Sequence, residues 1–322
     1  MSDPFAALSD ADRARLRPEP LPERVEVMKA VLTDKRFNDP AWMFERKLDG
    51  IRCVAIKGGG QVRLLSRNDL SLNGRYPELV EALEHEDADR FVVDGEVVAF
   101  EGGRTSFERL ARRGRERVAV FYYVFDLLHL AGMDVTALPL RARKSLLRAA
   151  LSFHGHVRFT LHRNRDGERL YRDACRRGWE GLIAKRVDGP YVHGRSHDWL
   201  KLKCAAEQEL VIGGYTAPRG SREELGALLL GYWRDGSFAY AGKVGTGFDR
   251  ATLHDLARRL QPLRRERSPF DVGDPPARGT AWVEPELVAQ IGFTEWTRDG
   301  RLRHPRFLGL RDDKPAREVV RE

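Results

Sequence analysis

Apolar runs separated by charged stretches dominate the first two thirds of the chain. Several of these runs are rich in β-branched and aromatic residues, which is typical of strands. They are Trp42–Glu45, Val54–Ile56, Val62–Ser66, Phe91–Phe100 and Val118–Leu128. Gly58-Gly59-Gly60 separates the second run from the third and predicts a hairpin turn. The last run predicts a strand buried on both faces.

Helical patterns lie between the predicted strands. Arg141–Phe153 and Gly167–Arg177 have apolar residues at a spacing of three to four, and Pro77–Glu84 begins with the proline that a helix N-terminus tolerates. Residues 1–40 are rich in proline and charge and predict an irregular lead-in with short helical pieces. The interleaving of strands and helices predicts a mixed α/β (α+β) domain.

The pattern changes after Lys203. Short strand-like runs broken by glycine-rich turns follow, with one helical stretch at Arg250–Leu260. The runs are Leu210–Tyr215, Ala227–Trp233, Phe238–Val244 and Val288–Trp296. This alternation favours a small all-β barrel such as an OB-fold. We predict a boundary near Cys204–Glu207, giving a lead-in at 1–24, a first domain at 25–204 and a second at 205–322.

Composition narrows the class of protein. Lys and Arg number 56 against 48 Asp and Glu, a net charge of +8, which permits a polyanionic partner. Cys53, Cys175 and Cys204 lie far apart without a CxxC pair and indicate neither a disulfide framework nor a zinc site. The N-terminus has no secretory signal, and the longest apolar run, Val118–Phe125, is too short to span a bilayer. We expect a soluble protein of a reducing cytoplasm.

The stretch ERKLDGIR, Glu45–Arg52, raises the question of what Lys47 does. A lysine taken alone is most often a solvated surface charge. As a nucleophile its amine must be neutral, which costs on the order of 4 kcal/mol near neutral pH for a pKa of ~10.4. Such a lysine needs burial or nearby cations to lower that pKa, and it needs an electrophile.

Side chains suited to a nucleotide phosphate occur on separate elements, each with a structural alternative. Glu96 is either a metal ligand or a strand residue that points to solvent. Phe125 either stacks on the nucleotide base or packs in the hydrophobic core. Glu180 enters a pocket or merely begins a strand. Lys201 and Lys203 alternate with two leucines, so both lysines share one strand face, which either binds an anion or is simply solvated.

Other motifs have little support. GxxxxGK[ST] is missing, and the glycine-rich Gly242–Gly247 lacks the following helix that a phosphate loop needs. The nine histidines lack the spacing of a metallohydrolase or a deaminase.

Six short motifs in a fixed order resemble those of the covalent nucleotidyltransferases, specifically the ATP-dependent DNA ligases. They are ERKLDG at Glu45–Gly50, DGE at Asp94–Glu96, VFDL at Val124–Leu127, EGLIAK at Glu180–Lys185, WLKLK at Trp199–Lys203 and RDDK at Arg311–Lys314. The strings GPYVHGRSHDWLKLK and LRHPRFLGLRDDK are similar to the ligase module of bacterial ligase D. The resemblance implies an adenylation (nucleotidyltransferase) domain at 25–204 followed by an OB-fold domain at 205–322.

The resemblance also implies roles for individual residues. Lys47 would attack the α-phosphate of ATP and hold AMP. Glu45 would lie at the adenine edge and Phe125 on the adenine face. The residues implied to contact ribose or phosphate are Arg52, Arg67, Glu96, Arg195, Lys201 and Lys203. Glu96 and Glu180 would place Mg²⁺, or Mn²⁺, and pyrophosphate would be oriented by Arg311, Asp313 and Lys314. Lys201, Lys203, Arg52 and the metal are expected to lower the pKa of Lys47.

The implied function is ATP-dependent sealing of 5′-phosphate/3′-hydroxyl breaks in duplex DNA, in repair or end joining. Nicked or broken DNA and the end-binding protein Ku are the implied partners of a monomer in the bacterial cytoplasm, associated with the nucleoid. The chain departs from ligase D in carrying no polymerase or phosphoesterase module, and it lacks the N-terminal DNA-binding domain of eukaryotic ligases. Three alternatives stay open: an RNA ligase or GTP-using capping enzyme, a non-catalytic DNA-binding module, and an NAD-dependent ligase, whose zinc module is missing here.

Overall fold

The computed structural model describes residues 3–321 except 115, 205, 219–224, 294 and 298, and the chain divides into two compact units, Met1–Cys204 and Ala205–Glu322. The helices are α1 (Asp10–Arg13), α2 (Pro77–Glu84), α3 (Phe107–Ala111), α4 (Leu140–Ala150), α5 (Gly167–Arg176) and α6 (Arg250–Leu260). Short 3-10 turns occupy Arg112–Gly114, Gln261–Leu263 and Ala316–Glu318.

The first unit contains thirteen of the strands described. They are β1 (Arg17–Pro18), β2 (Met28–Leu32), β3 (Trp42–Lys47), β4 (Ile51–Gly58), β5 (Gln61–Ser66), β6 (Phe91–Glu101), β7 (Arg104–Thr105), β8 (Val120–Leu130), β9 (Met133–Asp134), β10 (Val157–Phe159), β11 (His162–Arg163), β12 (Gly181–Arg186) and β13 (Gly194–Lys203). One sheet has the order β1-β9-β8-β6-β4-β5, with β10 added to β8 and β7 to β6; a second has the order β11-β3-β12-β13-β2. The mixed α/β character predicted for this part of the chain is confirmed.

The second sheet has one apolar and one charged face, because successive side chains of a strand point to opposite sides. Phe44 of β3, Leu182 of β12 and Leu202 of β13 belong to one buried cluster together with residues of α5. Lys201 and Lys203 are one residue out of phase with Leu202, so both lysines lie on the opposite face. The predicted alternation of lysines and leucines on β13 is therefore confirmed.

The predicted hairpin is also present. Gly58 of β4 pairs with Gln61 of β5, and the two residues between them, Gly59 and Gly60, have φ of +60° and +76°. Positive φ at both central positions is the requirement of a tight turn whose twist matches that of the strands, and glycine meets it without strain.

The structure differs from the sequence prediction near the N-terminus and in the second unit. The lead-in is not wholly irregular, since β1 pairs with β9 and β2 pairs in parallel with β13. Val288–Trp296, predicted as one run, contains two strands. Both differences involve short segments whose strand character comes from their pairing partners rather than from local residue preference.

A disulfide joins Cys175 to Cys204, which corrects the prediction that the cysteines form none. Cys175 lies near the end of α5 and Cys204 directly follows β13, and α5 packs on the apolar face of that sheet. Tyr171 of α5 donates its hydroxyl to the carbonyl oxygen of Lys203 at 2.9 Å. The separation of 29 residues hid the pair because helix packing, not proximity along the chain, brings the thiols together.

The second unit is built around a long central strand. Its strands are β14 (Ala206–Thr216), β15 (Leu228–Arg234), β16 (Ser237–Val244), β17 (Arg264–Arg265), β18 (Thr280–Val283), β19 (Val288–Phe293), β20 (Glu295–Trp296), β21 (Leu302–Arg303) and β22 (Arg306–Leu310). The first half of β14 pairs with β19, and the second half pairs with β15 and β18. Leu256 and Leu260 of α6 are buried in the core of this unit. Among the described residues, no helix is long and apolar enough to cross a membrane.

Candidate active site

Lys47 ends β3 on the charged face of the five-stranded sheet. Its Nζ forms an ion pair with Oε1 of Glu180, the residue that precedes β12. The side chain of Lys47 is 20% exposed, whereas that of Glu180 is 7% exposed. The amine is therefore held in a partly open position and is not a freely solvated surface charge.

The acidic surroundings of Lys47 set its protonation. Burial is the largest single effect and favours the neutral amine, but Glu180, Glu96 and Asp49 together outweigh it, so the pKa of Lys47 is raised above its ordinary value. The expectation that Lys201, Lys203 and Arg52 lower this pKa is wrong, because the carboxylates near the amine decide its direction. The sequence showed the cations but not that Glu180, Glu96 and Asp49 act on the amine.

Cross-strand register aligns the two lysines of β13 with Lys47 and Glu45 of the ERKLDG motif. Lys203, Gly181 and Lys47 form one row across β13, β12 and β3, and Lys201 lies in the next row with Glu45. Paired residues of antiparallel strands turn their side chains to the same face. The four charged residues therefore share one face of the sheet.

Two motif glycines are required by close backbone contacts. A Cβ at Gly181 would lie 1.9 Å from the carbonyl oxygen of Leu202, and one at Gly50 would lie 2.2 Å from that of Val97. No side chain fits at either position without moving backbone. These glycines keep β12 against β13 beside Glu180 and hold the turn after Lys47 against β6.

The other end of the charged face is centred on Glu45. Its carboxylate is 2% exposed and bridges two lysines, with Lys144 Nζ at 2.5 Å from Oε1 and Lys185 Nζ at 2.7 Å from Oε2. Burial is the largest effect on Glu45, but the two ammonium groups outweigh it and lower its pKa. Burial, assisted by the charge of Lys144, lowers the pKa of Lys185 to about 8.

Two aromatic rings connect this end to the other sheet. Lys185 Nζ lies 4.2 Å from the ring centroid of Phe125 and 4.0 Å from that of Trp199. The guanidinium carbon of Arg52 lies 4.6 Å from the Phe125 centroid. Both cations are within the range of cation–π attraction. Phe125 is thus 8% exposed and packed between the cationic groups of Lys185 and Arg52.

Arg52 is anchored by a buried carboxylate. Its Nε and Nη2 donate to the two oxygens of Asp94 at 2.5 Å each, and Nη2 also donates to the carbonyl oxygen of Met28 at 3.1 Å. Tyr191 donates its hydroxyl to Asp94 at 2.7 Å. Asp94, the first residue of DGE, is fully buried and fixes Arg52 from β4 against the second sheet.

The aspartate of VFDL has a structural role. Asp126 is fully buried and accepts from Arg143 of α4 at 2.7 and 3.0 Å. Arg143 also donates to the carbonyl oxygens of Leu138 and Gly189. This pair ties α4 to β8 directly beside Phe125.

The remaining predicted residues lie at different distances from this cluster. Glu96 of β6 is opposite Arg52 in register and close enough to Lys47 to raise its pKa. Arg67 lies in the turn after β5. Arg195 lies near the start of β13, where it pairs in register with Lys29 of β2 and donates to a backbone carbonyl at 3.5 Å.

The RDDK cluster belongs to the second unit. Arg311 donates from Nε and Nη2 to the two oxygens of Asp313, at 2.8 Å each, and Lys314 pairs with Glu209 at 2.9 Å. The three side chains predicted to orient pyrophosphate are therefore held in ion pairs, and Arg311 and Lys314 are 14% and 11% exposed.

Sequence reasoning assigned no role to Lys144, Lys185, Trp199, Asp94 and Tyr191. Asp94, Lys185 and Trp199 lie in three of the six short motifs, and Tyr191 lies in the longer string GPYVHGRSHDWLKLK. Lys144 lies outside every motif, yet a signal exists: it falls four residues after Leu140 and three before Leu147, on the buried stripe of α4. A lysine in that stripe must find a buried partner.

A divalent cation fits the carboxylates near Lys47. Among the described residues, no group of three or more His, Cys, Asp or Glu side chains could hold a metal alone. Mg²⁺ commonly uses only one or two carboxylates together with water and substrate phosphates. Glu96 and Glu180 provide such a pair of hard oxygen ligands, so the donor set suits Mg²⁺ bound with a nucleotide.

Two family models match most of the chain. One described as "ATP dependent DNA ligase domain" matches residues 20–203, and one described as "ATP dependent DNA ligase C terminal region" matches residues 221–314. The two matches cover the two units of the structure in order.

Curated relatives are similar over nearly the whole chain. It is 40% identical over 314 residues to the "Multifunctional non-homologous end joining protein LigD" of Pseudomonas aeruginosa, covering 94% of this chain and 37% of that protein. It is also 40% identical over 289 residues to the "Multifunctional non-homologous end joining DNA repair protein LigD" of Mycobacterium tuberculosis, covering 87% and 37%. The chain thus spans well under half the length of these relatives.

Two solved structures of ligase D are similar to nearly the whole chain. A "mycobacterial DNA ligase D complexed with ATP and MES" has a TM-score of 0.69 and 36% identity, covering 92% of this chain and 98% of that one. The ligase domain of LigD from M. tuberculosis has a TM-score of 0.51 and 37% identity, with the same coverage.

Proposed function

This chain belongs to the family of ATP-dependent DNA ligases, with an adenylation domain followed by an OB-fold domain, and we propose that it seals 5′-phosphate/3′-hydroxyl breaks in duplex DNA through AMP bound to Lys47. We take residues 25–204 as the adenylation domain and 205–322 as the OB-fold domain. The observation that carries the proposal is the position of Lys47, partly open and aligned with Lys203 on the charged sheet face.

In the first step, the neutral amine of Lys47 attacks the α-phosphorus of ATP. An N–P bond forms, the bond to the bridging oxygen breaks, and pyrophosphate leaves. Lys201 and Lys203 bind the α-phosphate oxygens, since they lie on the same sheet face. Glu45 contacts the base edge and Phe125 the base face, while Arg52, Arg67, Glu96 and Arg195 contact ribose or phosphate.

The amine must lose its proton before it attacks, and the carboxylates around it oppose that loss. Mg²⁺ held by Glu96 and Glu180 would supply positive charge that neutralises these carboxylates and the phosphates, and Mn²⁺ is the alternative ion. Arg311, Asp313 and Lys314 of the OB-fold domain orient the departing pyrophosphate.

Two further displacements complete sealing. A 5′-phosphate oxygen of the DNA attacks the α-phosphorus, which releases Lys47 and leaves AMP on the 5′ end. The 3′-hydroxyl then attacks that 5′-phosphate, AMP leaves and the phosphodiester forms. Water must be excluded during both steps, because it would compete with each nucleophile.

The test is sealing of a labelled nicked duplex by wild type and Lys47→Ala, with ATP, GTP and NAD compared and a nicked RNA duplex in parallel. We expect sealing of DNA by wild type with ATP, and none by Lys47→Ala. Sealing that requires NAD, prefers GTP with RNA, or persists in Lys47→Ala would overturn the proposal.

We extend the proposal to end joining in a bacterial cell, at the nucleoid and together with Ku, because the curated relatives carry end joining in their names. The check compares joining of linear duplexes with sealing of a nick, each with and without purified Ku. Joining that Ku leaves unchanged while nicks are sealed efficiently would restrict the function to nick sealing.

A further inference from the structure

We propose that Lys144 and Lys185 are positioning residues that fix the carboxylate of Glu45 as a hydrogen-bond acceptor at the base end of the site, and so make the site select adenine over guanine nucleotides. The inference rests on the proposed function, since it assigns a basis for nucleotide choice to the same site. It concerns a lysine, Lys144, that lies outside every motif recognised in the sequence.

Lys144 holds together three parts of the adenylation domain. Its Nζ donates to Glu45 Oε1 at 2.5 Å and to the carbonyl oxygens of Thr160 at 3.2 Å and Phe125 at 3.3 Å. An ammonium group has three N–H donors, and all three are used here. The carboxylate of Glu45 is thereby fixed relative to the backbone of Phe125, which is proposed to stack on the base.

Lys185 holds the second oxygen of the same carboxylate. It lies 2.7 Å from Glu45 Oε2 while its Nζ contacts the ring faces of Phe125 and Trp199. Both lysines and Glu45 are at most 3% exposed. Side chains this deeply buried and held in ion pairs have little freedom to reorient, so the direction of the remaining Glu45 lone pairs is set by the fold.

The charge state of Glu45 gives the selectivity. Two neighbouring cations keep it ionised, and an ionised carboxylate only accepts hydrogen bonds. Adenine presents an exocyclic amine, a donor, where guanine presents a carbonyl oxygen, an acceptor. The Glu45 carboxylate and the guanine carbonyl are both acceptors, so they would repel each other and both would stay without a hydrogen bond. A site built to bond a donor therefore discriminates strongly against guanine.

Two buried polar atoms close to the Glu45–Lys144 pair in the sheet have no hydrogen-bond partner among the residues that the structure describes. His162 is paired with Glu45 in cross-strand register, and its Nδ1 is buried without a hydrogen-bond partner. The hydroxyl oxygen of Thr160 is buried and unpartnered as well. Unpaired buried polar atoms are uncommon in folded proteins, and two of them beside Glu45 mark a place where a polar ligand can complete the bonding.

The experiment measures self-adenylation of the full chain with labelled ATP and labelled GTP in wild type, Lys144→Met, Lys185→Met and Glu45→Gln. We expect Lys144→Met to raise KM for ATP about 10-fold, with kcat changed much less, and to lower the ATP-to-GTP ratio of kcat/KM about 10-fold. Lys185→Met should act in the same direction. Glu45→Gln should relax the preference further, because an amide can also donate to a carbonyl.

Lys57→Met is the matched control. Lys57 is also buried, at 4% exposure, but its Nζ donates to the carbonyl oxygens of Glu84 and Glu86 at 3.0 and 2.6 Å. It should lower stability without changing the ATP-to-GTP ratio. If Lys144→Met fails to fold, Lys144→Arg, which keeps the cation, should retain a measurable ATP preference above that of Glu45→Gln.

Two failures can be told apart. Wild type that takes no label from ATP would overturn the proposed function itself. Wild type that labels normally while Lys144→Met and Lys185→Met keep both KM and the ATP-to-GTP ratio would overturn the positioning role and leave the function standing. A ratio lowered equally by Lys57→Met would also overturn it, because the effect would then be general destabilisation.

Discussion

Each end of the charged sheet face carries a lysine–glutamate ion pair, but the strand that supplies the lysine differs between the two ends. At one end Lys47 of β3 pairs with Glu180 beside β12, and at the other Glu45 of β3 pairs with Lys185 of β12. The pKa of Lys47 is raised, whereas that of Lys185 is lowered to about 8. Two lysine–glutamate pairs on the same strands thus differ in the direction of their shifts.

Burial lowers the pKa of both lysines, and the surplus charge around each pair decides whether that lowering is outweighed. Glu96 and Asp49 add negative charge near Lys47, while Lys144 adds positive charge near Lys185. Lys185 is also more deeply buried, with its side chain 2% exposed against 20% for Lys47. The end around Lys47, which has surplus carboxylates, is suited to bind cations together with phosphates. The end around Glu45, which has two lysines, is suited to fix one carboxylate in position.

The largest expected effect comes from the anchor of Arg52 near the acidic end. Asp94→Ala should lower the free energy of unfolding by about 3–5 kcal/mol, because it leaves a buried guanidinium without its partner and the Tyr191 hydroxyl without an acceptor. Urea unfolding of the full chain measures this change.

The matched control removes a carboxylate from a surface pair. Asp173 pairs with Arg176, whose side chain is 78% exposed. Asp173→Ala should lower the free energy of unfolding far less than Asp94→Ala does, because a solvent-exposed ion pair contributes little to stability. Equal losses in the two variants would contradict the anchoring role of Asp94.

A second prediction separates two roles of Glu180. If Glu180 holds Mg²⁺, Glu180→Gln should slow self-adenylation at least about 100-fold, although it also removes the carboxylate that keeps Lys47 protonated. Single-turnover labelling with ATP across a range of Mg²⁺ concentrations measures it. Labelling as fast as wild type or faster would show that Glu180 only restrains the amine.

The third and smallest predicted effect is a pH dependence of stability that arises from the lowered pKa of Lys185. Between about pH 8 and the ordinary value of 10.5, Lys185 binds a proton in the unfolded chain but not in the folded one. Its contribution to the free energy of unfolding should therefore rise with pH by up to about 1.4 kcal/mol per unit. Urea unfolding over this window should show a flatter pH dependence in Lys185→Met than in wild type.

Lys47→Met is the comparison variant for this window. The pKa of Lys47 lies above 10.5 in the folded protein, so in the lower part of the window Lys47 is protonated in both states and contributes almost no slope there. The variant should keep the pH dependence of wild type. A flattened profile in Lys47→Met and an unchanged one in Lys185→Met would reverse the assignment.

The sequence predicted those parts of the fold and site that local patterns encode. The alternation in Leu200–Lys203 predicted one lysine face, and the glycine run 58–60 predicted the hairpin turn, because both depend only on neighbouring residues. The order of the motifs predicted the family.

Features that depend on distant residues were not predictable from these patterns. Lys144 meets Glu45 across 99 residues, and Cys175 meets Cys204 across 29. The pKa of Lys47 was expected to fall because its cationic neighbours were visible as motifs, whereas the distances to Glu180 and Glu96 were not. Charge balance at a site requires the three-dimensional positions of all its groups.

Which lysine carries AMP is the most direct test of the account. Lys185 has the lower pKa and is therefore more easily deprotonated than Lys47. Lys47 is more exposed and is aligned with Lys203, and both features favour Lys47 as the nucleophile. The measurement is digestion of the protein after reaction with ATP and Mg²⁺, followed by mass spectrometry of the modified peptides. We predict AMP on Lys47 alone; AMP on Lys185 or Lys144 would contradict the assignment of Lys47 as the nucleophile.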